Sequence, residues 1–301
     1  MLFDAIVIGG GAAGMFCAAE AGKRRRKVLL IEHNAQLGRK ILISGGGRCN
    51  FTNLDVRPEN FISGNPHFCK SALSRYRPDD FIGLVRRHRI AFHEKKLGQL
   101  FCTESSRHIV EMLTAECGRG GVRTLTRCQV KSIDKHELFT VETSAGTFTS
   151  RSVVIAAGGL SFAKIGATGF GYNVARQFGL SLTEMRPSLV ALVAEKGARH
   201  TALAGVSLDA EVTAGKAAFR ENILFTHRGM SGPAILQASN YWRPEKPVTV
   251  DHLPDIDDLF TGKSTNSKQL GNFLSELLPK RFVESAFTAE LRRRPGEKLS
   301  A

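Results

Sequence analysis

The chain of 301 residues has 42 lysine and arginine residues against 28 aspartate and glutamate residues, a formal net charge of +14, and is 42% hydrophobic and 23% charged. The length predicts one large domain with a smaller inserted or appended one, and the composition excludes an intrinsically disordered chain. Because no apolar run approaches the roughly 20 residues of a membrane helix and the N-terminus lacks a secretory signal pattern, we expect a cytoplasmic protein with no membrane partner.

The first 32 residues predict a strand, a helix and a second strand. A β-branched run at residues 4–9 ends in glycine, an alanine-rich stretch follows to residue 21, and residues 27–32 form a second apolar run. Cations occupy every position from 23 to 27, at the predicted end of the helix, where they complement the negative pole of its dipole. We expect a solvated helix terminus there, with a nucleic-acid patch as the alternative.

A glycine motif, G-G-G-A-A-G, separates the first strand from the helix and has the G-x-G-x-x-G spacing of dinucleotide-binding turns. Gly9 permits the tight turn, Gly11 lets a pyrophosphate approach the backbone, and Gly14 allows close helix packing. At the helix N-terminus, Ala12 and Ala13 present backbone amides to the phosphates. A glycine-rich turn in an unrelated α/β protein is the alternative interpretation.

Glu32 ends the second predicted strand. A carboxylate at this position of the fingerprint accepts hydrogen bonds from the ribose hydroxyls of an adenosine and disfavours the 2′-phosphate of NADP. The glycine motif and Glu32 together predict a dinucleotide site, but they do not distinguish NAD from FAD.

Residues 34–64 are rich in Gly, Asn, Ser and Arg with little periodicity, and they predict a functional loop over the sheet. Within this loop, residues 37–53 form a second glycine-dense segment, whose three consecutive glycines would let backbone amides approach an extended anionic ligand. The cations available there to neutralise a phosphate or a flavin anion are Arg39, Lys40 and Arg48.

The rest of the chain predicts helices, a meander and a second domain. Helical spacing at residues 78–88 and 105–117 precedes an alternating stretch, residues 123–153, that predicts a small antiparallel meander. A buried strand then ends in Gly158 and Gly159. After Pro187 the pattern changes to short strands and a final helical stretch, predicted at residues 189–195, 207–213, 247–251 and 267–287. Residues 291–301 are polar and are expected to fray.

Four segments together resemble the YhiN/BaiN-like family of bacterial FAD-binding oxidoreductases: residues 9–14, residues 38–53, the Gly158-Gly159 pair and the F-T-H-R-G-M-S-G-P turn at residues 225–233. The resemblance covers nearly the whole chain and implies an α/β fold. It implies a Rossmann-type FAD-binding domain with a three-stranded antiparallel meander at residues 1–187, an inserted β-barrel and helical domain at residues 188–290, and a polar tail at residues 291–301.

The resemblance also implies which residues bind FAD. Glu32 is expected to meet the ribose, Val130 to face the adenine, and the second glycine segment to line the pyrophosphate and the flavin. The residues assigned to the cofactor by the motif and the resemblance are Gly9, Gly11, Ala12, Ala13, Gly14, Glu32, Arg39, Lys40, Ser44, Gly45, Gly46, Gly47, Arg48, Val130, Gly158 and Gly159.

The chain departs from the family pattern at three places. Cys102 stands where the family has proline, and Phe170 stands where it has an acidic residue. The family pattern also continues beyond the inserted domain into a returning segment that completes the Rossmann domain and covers the flavin. We therefore expect a truncated member whose affinity for FAD is weakened.

Two residues are candidates for catalysis, although neither is assigned a catalytic role. Arg48 could lower the pKa of the adjacent Cys49 thiol, but a packing role is the favoured interpretation. His227 could act as an acid or a base, but a role in holding its glycine-proline turn is favoured. The six cysteines show no C-x-x-C spacing and the histidines no metal-ligand spacing, so no metal is predicted.

The expected activity is that of an FAD-dependent oxidoreductase in which NAD(P)H reduces the flavin and the flavin reduces a small organic molecule, such as an unsaturated carbonyl compound. With a single dinucleotide fingerprint in the sequence, NAD(P)H would bind transiently without a Rossmann domain of its own. The net charge and the basic runs at residues 23–27 and 292–294 keep open the alternative of a flavin-dependent protein that modifies or binds nucleic acid. The expected truncation keeps open a second alternative, a non-catalytic remnant.

Overall fold

A computed structural model describes residues 1–195, 202–255 and 270–287. The chain divides into two compact units, Met1–Glu184 and Met185–Ala301. Within the described residues, no helix has the length and apolar character needed to cross a membrane.

The first unit is a mixed α/β structure. Its strands are β1 (Leu2–Ile8), β2 (Val28–Ile31), β3 (Asn50–Asn53), β4 (Phe92–Glu94), β5 (Gln99–Cys102), β6 (Arg123–Leu125), β7 (Val130–Lys135), β8 (Phe139–Thr143) and β9 (Gly146–Ile155). Its helices are α1 (Ala12–Lys23), α2 (Arg39–Ile43), α3 (Lys70–Arg75), α4 (Pro78–Arg87), α5 (Arg107–Arg119) and α6 (Phe170–Gln177), with 3-10 turns at Ser44–Gly47, Pro58–Asn60 and Ala163–Ile165.

A six-stranded sheet in the order β6-β2-β1-β9-β8-β7 organises this unit. Strands β6, β2, β1 and β9 are parallel, whereas β9, β8 and β7 form an antiparallel meander. All four residues of β2 are buried, as expected for a strand covered on both faces. The predicted Rossmann-type architecture with a three-stranded meander is therefore confirmed.

Two predicted boundaries in this sheet are wrong. The third meander strand and the following buried strand are a single strand, β9, which pairs antiparallel with β8 at Gly146 and parallel with β1 as far as Ile155. No turn residue interrupts it, so it passes directly from one pairing to the other. Residues 123–125 are not in the meander but pair with β2 at the opposite edge, because the chain returns from α5 in a parallel crossover.

Residues 34–64 contain more regular structure than the loop that their sequence predicts. They include α2, two 3-10 turns and β3, which pairs with β5 in a small antiparallel sheet of order β3-β5-β4. Each of these elements spans only three to five residues. Such lengths are too short for a hydrophobic period to show in the sequence.

Helices α1, α4 and α5 are joined through the buried carboxylate of Glu116. Its oxygens lie 2.6 Å from Lys23 Nζ, 2.7 Å from His88 Nε2 and 2.6 Å from Arg119 Nη1. Burial by itself would raise the pKa of Glu116, but the hydrogen bonds from Lys23 and His88 outweigh it and lower the pKa to about 2. The ionised carboxylate therefore stabilises the folded state at neutral pH.

Replacing Glu116 with glutamine should lower the free energy of unfolding by about 2 kcal/mol at pH 7, because the amide loses the charge-assisted hydrogen bonds. Since the folded pKa is depressed, the contribution is present above the unfolded value near 4.5 and is lost as the pH falls towards about 2. Urea unfolding of both proteins from pH 7 to pH 3 measures the difference, which should shrink with acid. The control Glu111→Gln, at an exposed position of the same helix, should change little at any pH.

The second unit contains an antiparallel sheet and short helices. Its elements are β10 (Leu192–Val193), β11 (Ser207–Ala214), β12 (Ala217–Thr226), β13 (Gly229–Ser231), α7 (Pro233–Ala238), β14 (Val248–Asp251), α8 (Leu270–Leu277) and α9 (Lys280–Ala286). The strand order is β10-β13-β12-β11-β14. Strand β12 was missed in the sequence because the polar residues 220–222 interrupt its apolar pattern, and Pro279 separates the predicted final helix into two. The predicted tail, residues 291–301, lies outside the described residues.

Candidate cofactor-binding site

A cavity of about 1160 Å³ opens in the first unit where the parallel strands end. Its wall includes Ile8 and Ile31, the last residues of β1 and β2, and the residues that follow β9 from Ala156. The carboxyl ends of parallel strands are the usual ligand position in open α/β sheets. Its volume exceeds the upper end of the roughly 300–1,000 Å³ range of small-molecule sites.

The glycine motif forms the floor of this cavity. Gly9 has a φ of 112°, and a Cβ there would overlap the carbonyl oxygen of Ala156. Gly14 packs so closely that a Cβ would overlap the carbonyl oxygen of Gly9. Gly11, in contrast, has no atom within 4 Å of the place where a Cβ would stand, and it lines the cavity together with Ala12 and Ala13.

The N-terminus of α1 is open to the cavity. Gly11 is its capping residue, and no side chain of the fully described first unit caps the helix. The first amides of a helix without a side-chain cap, together with the positive pole of its dipole, attract phosphate. The backbone here therefore fits the pyrophosphate of a dinucleotide.

Glu32 is buried at the cavity wall and holds the turn in place. Its Oε2 accepts a hydrogen bond from the Gly10 amide at 2.7 Å, and its Oε1 accepts two from Asn34, from the backbone and from the side chain, each at 2.8 Å. A carboxylate offers about four acceptor positions, so one remains for a hydroxyl of a bound ligand. Among the described residues that line the cavity, Glu32 is the single carboxylate.

Of the three cations predicted at the cofactor site, Arg39 and Lys40 line the cavity. Arg39 donates to Asn34 Oδ1 at 2.6 Å, and Lys40 donates to Ser161 Oγ at 2.9 Å, which ties α2 to the loop that follows β9. That loop contributes Gly158 and Gly159 to the wall, and the meander contributes Val130. Asn34, Ser161 and Arg127 also line the cavity and were missed, because loop residues without a motif give no signal in the sequence.

The second glycine segment is only partly at the cavity. Ser44 lines it, but Gly45, Gly46, Gly47 and Arg48, which were predicted to line the pyrophosphate and the flavin, do not. The three glycines have left-handed φ values between 57° and 84°, which turn the chain away. A Cβ on Gly45 would lie 2.8 Å from the Phe101 ring. The carbonyl groups of Gly47 and Arg48 accept backbone hydrogen bonds from Ser106 and Cys102, which tie this segment to the chain after β5, while Arg48 itself is exposed.

Cys49 lines the cavity but is not an activated thiol. Burial raises its pKa, and a hydrogen bond with Ser44 opposes that effect only in part. The neighbouring Cys102, at the position where the family has proline, is fully buried and has a pKa raised to about 11 by burial and by Cys49. The pKa of Cys49 is therefore not lowered as the reactive-thiol alternative requires, because desolvation dominates.

Iodoacetamide should therefore modify Cys49 on the order of tenfold more slowly than the half-buried Cys17 at neutral pH. Peptide mass spectrometry over a time course measures both rates in one sample, so that Cys17 is the internal control. Faster modification of Cys49 would show a reactive thiolate and contradict the packing role.

One part of the cavity wall is aromatic. Phe16 lies 5.0 Å from Tyr76 and 6.4 Å from Phe81, measured between ring centroids, and Phe81 lies 6.0 Å from Phe51. All four line the cavity, as does Phe170, the residue that replaces an acidic one of the family pattern. These rings come from five separate segments of the chain and carry no common motif. They provide an apolar, aromatic surface of the kind that heteroaromatic rings bind.

His227 lies elsewhere. It is an exposed residue of the turn between β12 and β13 in the second unit, and it is not among the residues that line the cavity. Thr226 Oγ1 accepts hydrogen bonds from the amides of Arg228 and Gly229 across that turn. Threonine, rather than histidine, therefore holds the turn. Among the described residues, no cluster of three or more metal-ligating side chains is present.

Comparison with known proteins identifies close relatives. Residues 3–238 match the model of the HI0933-like protein Rossmann domain, and residues 186–301 match that of the HI0933-like protein barrel and H2TH domain. The chain is 51% identical over 290 residues to the ribosomal RNA dihydrouridine synthase of Escherichia coli, covering 94% of this chain and 72% of the relative. It is 45% identical to the Haemophilus influenzae enzyme of the same name, covering 93% and 72%. It is 27% identical to the 3-dehydro-bile acid delta(4,6)-reductase of Clostridium scindens, covering 92% and 73%.

Proposed function

The chain belongs to the HI0933-like protein family, and we therefore propose that it is an FAD-dependent oxidoreductase that reduces uridine in ribosomal RNA to dihydrouridine. The observation that carries the assignment of FAD is that the open N-terminus of α1 and the buried carboxylate of Glu32 line the same cavity. The substrate part is supported by the names of the two relatives above 40% identity and by the net charge of +14.

The cavity residues fit FAD. In the proposal, the amides at Gly11, Ala12 and Ala13 hold the pyrophosphate, and Glu32 holds the ribose through its remaining acceptor position. The adenine would lie against Val130, and Gly158 and Gly159 would pass close to the phosphates. When bound, FAD supplies a carrier that accepts a hydride from a donor and delivers it to a substrate.

The protein's own contribution is to position the ligand and to exclude water from it. Glu32 fixes the glycine turn through the Gly10 amide, and Lys40 holds the loop after β9 through Ser161. Arg39 and Lys40 leave the wall positively charged, which favours an anionic ligand. The aromatic wall removes water from the space where rings bind, and so strengthens the electrostatic interactions there.

The predicted acceptor class and the relatives' substrates have the same chemistry. The uracil ring contains a carbon–carbon double bond conjugated to a carbonyl group, so uridine is itself an unsaturated carbonyl compound. The C. scindens relative is named as a reductase of another substrate class, and reduction of a small unsaturated carbonyl compound is the second candidate function. NAD(P)H is the proposed electron donor in both cases.

The test uses the purified chain. It is mixed with FAD, freed of excess by gel filtration, and examined for flavin absorbance and for bleaching by NADH or NADPH. Ribosomal RNA from an E. coli strain that lacks its relative is then incubated with the reduced protein, digested to nucleosides and analysed by mass spectrometry. A uridine product heavier by two hydrogen atoms supports the proposal. Retained flavin with no RNA product, but with turnover of a small enone, would favour the second candidate.

A further inference from the structure

Three helices of the first unit end at one place. The C-terminal turns of α1, α4 and α5 meet at Glu116, which contacts Lys23, His88 and Arg119. Gly22 lies so close to Gly120 that a Cβ on it would overlap the Gly120 carbonyl oxygen. The turn that leads from α1 into β2, and the start of β6 beside β2, are therefore next to the same helix ends.

This convergence gathers cations that are distant in the sequence. We name the region the basic end of the first unit. It consists of Lys23, Arg24, Arg25, Arg26, Lys27, Arg86, Arg87, Arg89, Arg119 and Arg123, all exposed. The run at residues 23–27 is thus one part of a larger surface, to which α4, α5 and β6 contribute half of the cations.

Helix termini do not account for this charge. The dipoles of three helices offset about one and a half positive charges. Three carboxylates bonded to residues of the basic end, Asp4, Glu20 and Glu116, offset three more. Of ten cations, more than half of the charge remains uncompensated. In the described part of the chain, no carboxylate lies within ion-pair distance of Arg24, Arg26 or Arg87.

The basic end lies opposite the cavity. Lys27 precedes β2 at its amino end, whereas the cavity is lined by residues at the carboxyl ends of β1 and β2. A strand of seven residues, the length of β1, spans about 20 Å. The cations beside Lys27 are at this distance from the cavity, whereas Lys23 and Arg87 interact electrostatically with Tyr76 at the cavity wall. None of the ten cations lines the cavity, so the surface acts on binding rather than through contact with a base that reacts there.

We propose that the basic end is a docking surface for the phosphate backbone of the RNA substrate, separate from the site of reduction. Eight of its ten cations are arginines, whose planar guanidinium groups bind phosphate in a bidentate manner. A folded RNA is large enough to span the distance of about 20 Å between the surface and the cavity. This inference rests on the proposed function, because it states where that substrate is held.

The experiment compares the unmodified protein with two triple variants of equal charge change. Arg24→Gln, Arg26→Gln and Arg87→Gln remove three cations of the basic end that make no ion pair in the described structure. The control Arg75→Gln, Arg107→Gln and Arg176→Gln removes three exposed cations elsewhere in the first unit. Fluorescence anisotropy with labelled ribosomal RNA measures Kd at several salt concentrations, and the dihydrouridine assay measures KM and kcat.

The basic-end variant should bind RNA about tenfold more weakly and reduce the slope of log Kobs against log salt by about 2 to 3. Its KM for RNA should rise by a similar factor, whereas kcat at saturating RNA and bleaching of the flavin by NAD(P)H stay within about twofold. The control variant should change the Kd by less than about threefold. A thermal melt of each variant shows that it is folded.

The outcomes separate this inference from the proposed function. If the unmodified protein forms no dihydrouridine but binds RNA through the basic end, the docking surface is supported and the proposed reaction is contradicted. Equal Kd values and equal salt slopes for the two triple variants would overturn the docking surface while leaving the reaction intact. It would also be overturned if the basic-end variant lost binding to vesicles that contain phosphatidylglycerol and kept its affinity for RNA.

Discussion

Gly11→Ala should reduce FAD affinity by at least about tenfold and leave the stability of the protein unchanged. The backbone at Gly11 has a φ of −83°, which any residue adopts, and no protein atom lies within 4 Å of the added methyl group. That open space adjoins the N-terminal amides of α1, so a methyl group there would hold the pyrophosphate away from them. A tenfold loss corresponds to about 1.4 kcal/mol, which is modest for displaced charge-assisted hydrogen bonds.

Gly14→Ala is the matched variant, and it is expected to lower the stability of the protein. Its methyl group would overlap the carbonyl oxygen of Gly9, so α1 and β1 must separate, and the free energy of unfolding should fall by about 3 kcal/mol or more. Urea unfolding measures stability, and titration of flavin fluorescence measures FAD affinity. If Gly11→Ala bound FAD as tightly as the unmodified protein, the pyrophosphate would not lie at this turn.

Glu32→Ala should cost about 3 kcal/mol of stability and abolish FAD retention. The substitution removes the acceptor of three hydrogen bonds, from the Gly10 amide and from the two nitrogens of Asn34, at 2.7 and 2.8 Å. A buried donor left without a partner costs about 1–3 kcal/mol, and solvent entering from the cavity relieves part of the total. The glycine turn loses its support at the same time as the ribose loses its acceptor.

Glu32→Gln and Glu137→Ala are the controls for this prediction. Glutamine retains the size of the side chain and one acceptor oxygen, so its loss of stability should be intermediate, about 1–2 kcal/mol. Glu137 is an exposed carboxylate of the same unit, and its removal should change stability by less than about 0.5 kcal/mol. An unfolding free energy for Glu32→Ala equal to that of the unmodified protein would mean that the Glu32 hydrogen bonds contribute nothing in solution.

The sequence alone was sufficient to locate the turn at the floor of the cavity. Gly9, Gly14 and Glu32 belong to one strand-helix-strand unit, and each glycine is required by a contact within that unit or with the adjacent strand. The steric reason for Gly14 lies within that unit, whereas the reason for Gly9 is the carbonyl group of Ala156, directly after the adjacent strand β9. The Rossmann architecture and the antiparallel meander were also predicted correctly, from alternation and turn residues.

The remaining features depended on packing between distant segments. Strand β9 joins both parts of the sheet because its two halves find different neighbours, β8 and β1. Gly45 lies against the Phe101 ring, which leaves no room for a Cβ, although the same glycines in sequence predict an approach to phosphate. The pKa of Cys49 rises because burial, which no sequence neighbour reveals, outweighs the hydrogen bond with Ser44.

Local sequence determined the cofactor turn, since Gly14 packs on Gly9 and Glu32 binds the Gly10 amide within one strand-helix-strand unit. Tertiary structure alone decided which side chains complete the cavity and which cations assemble at the basic end. Phe16, Tyr76 and Phe81 come together through helix packing, and Arg24, Arg87 and Arg119 through the meeting of three helix ends. Such surfaces arise from elements separated by many residues, so no single segment of the chain predicts their chemistry.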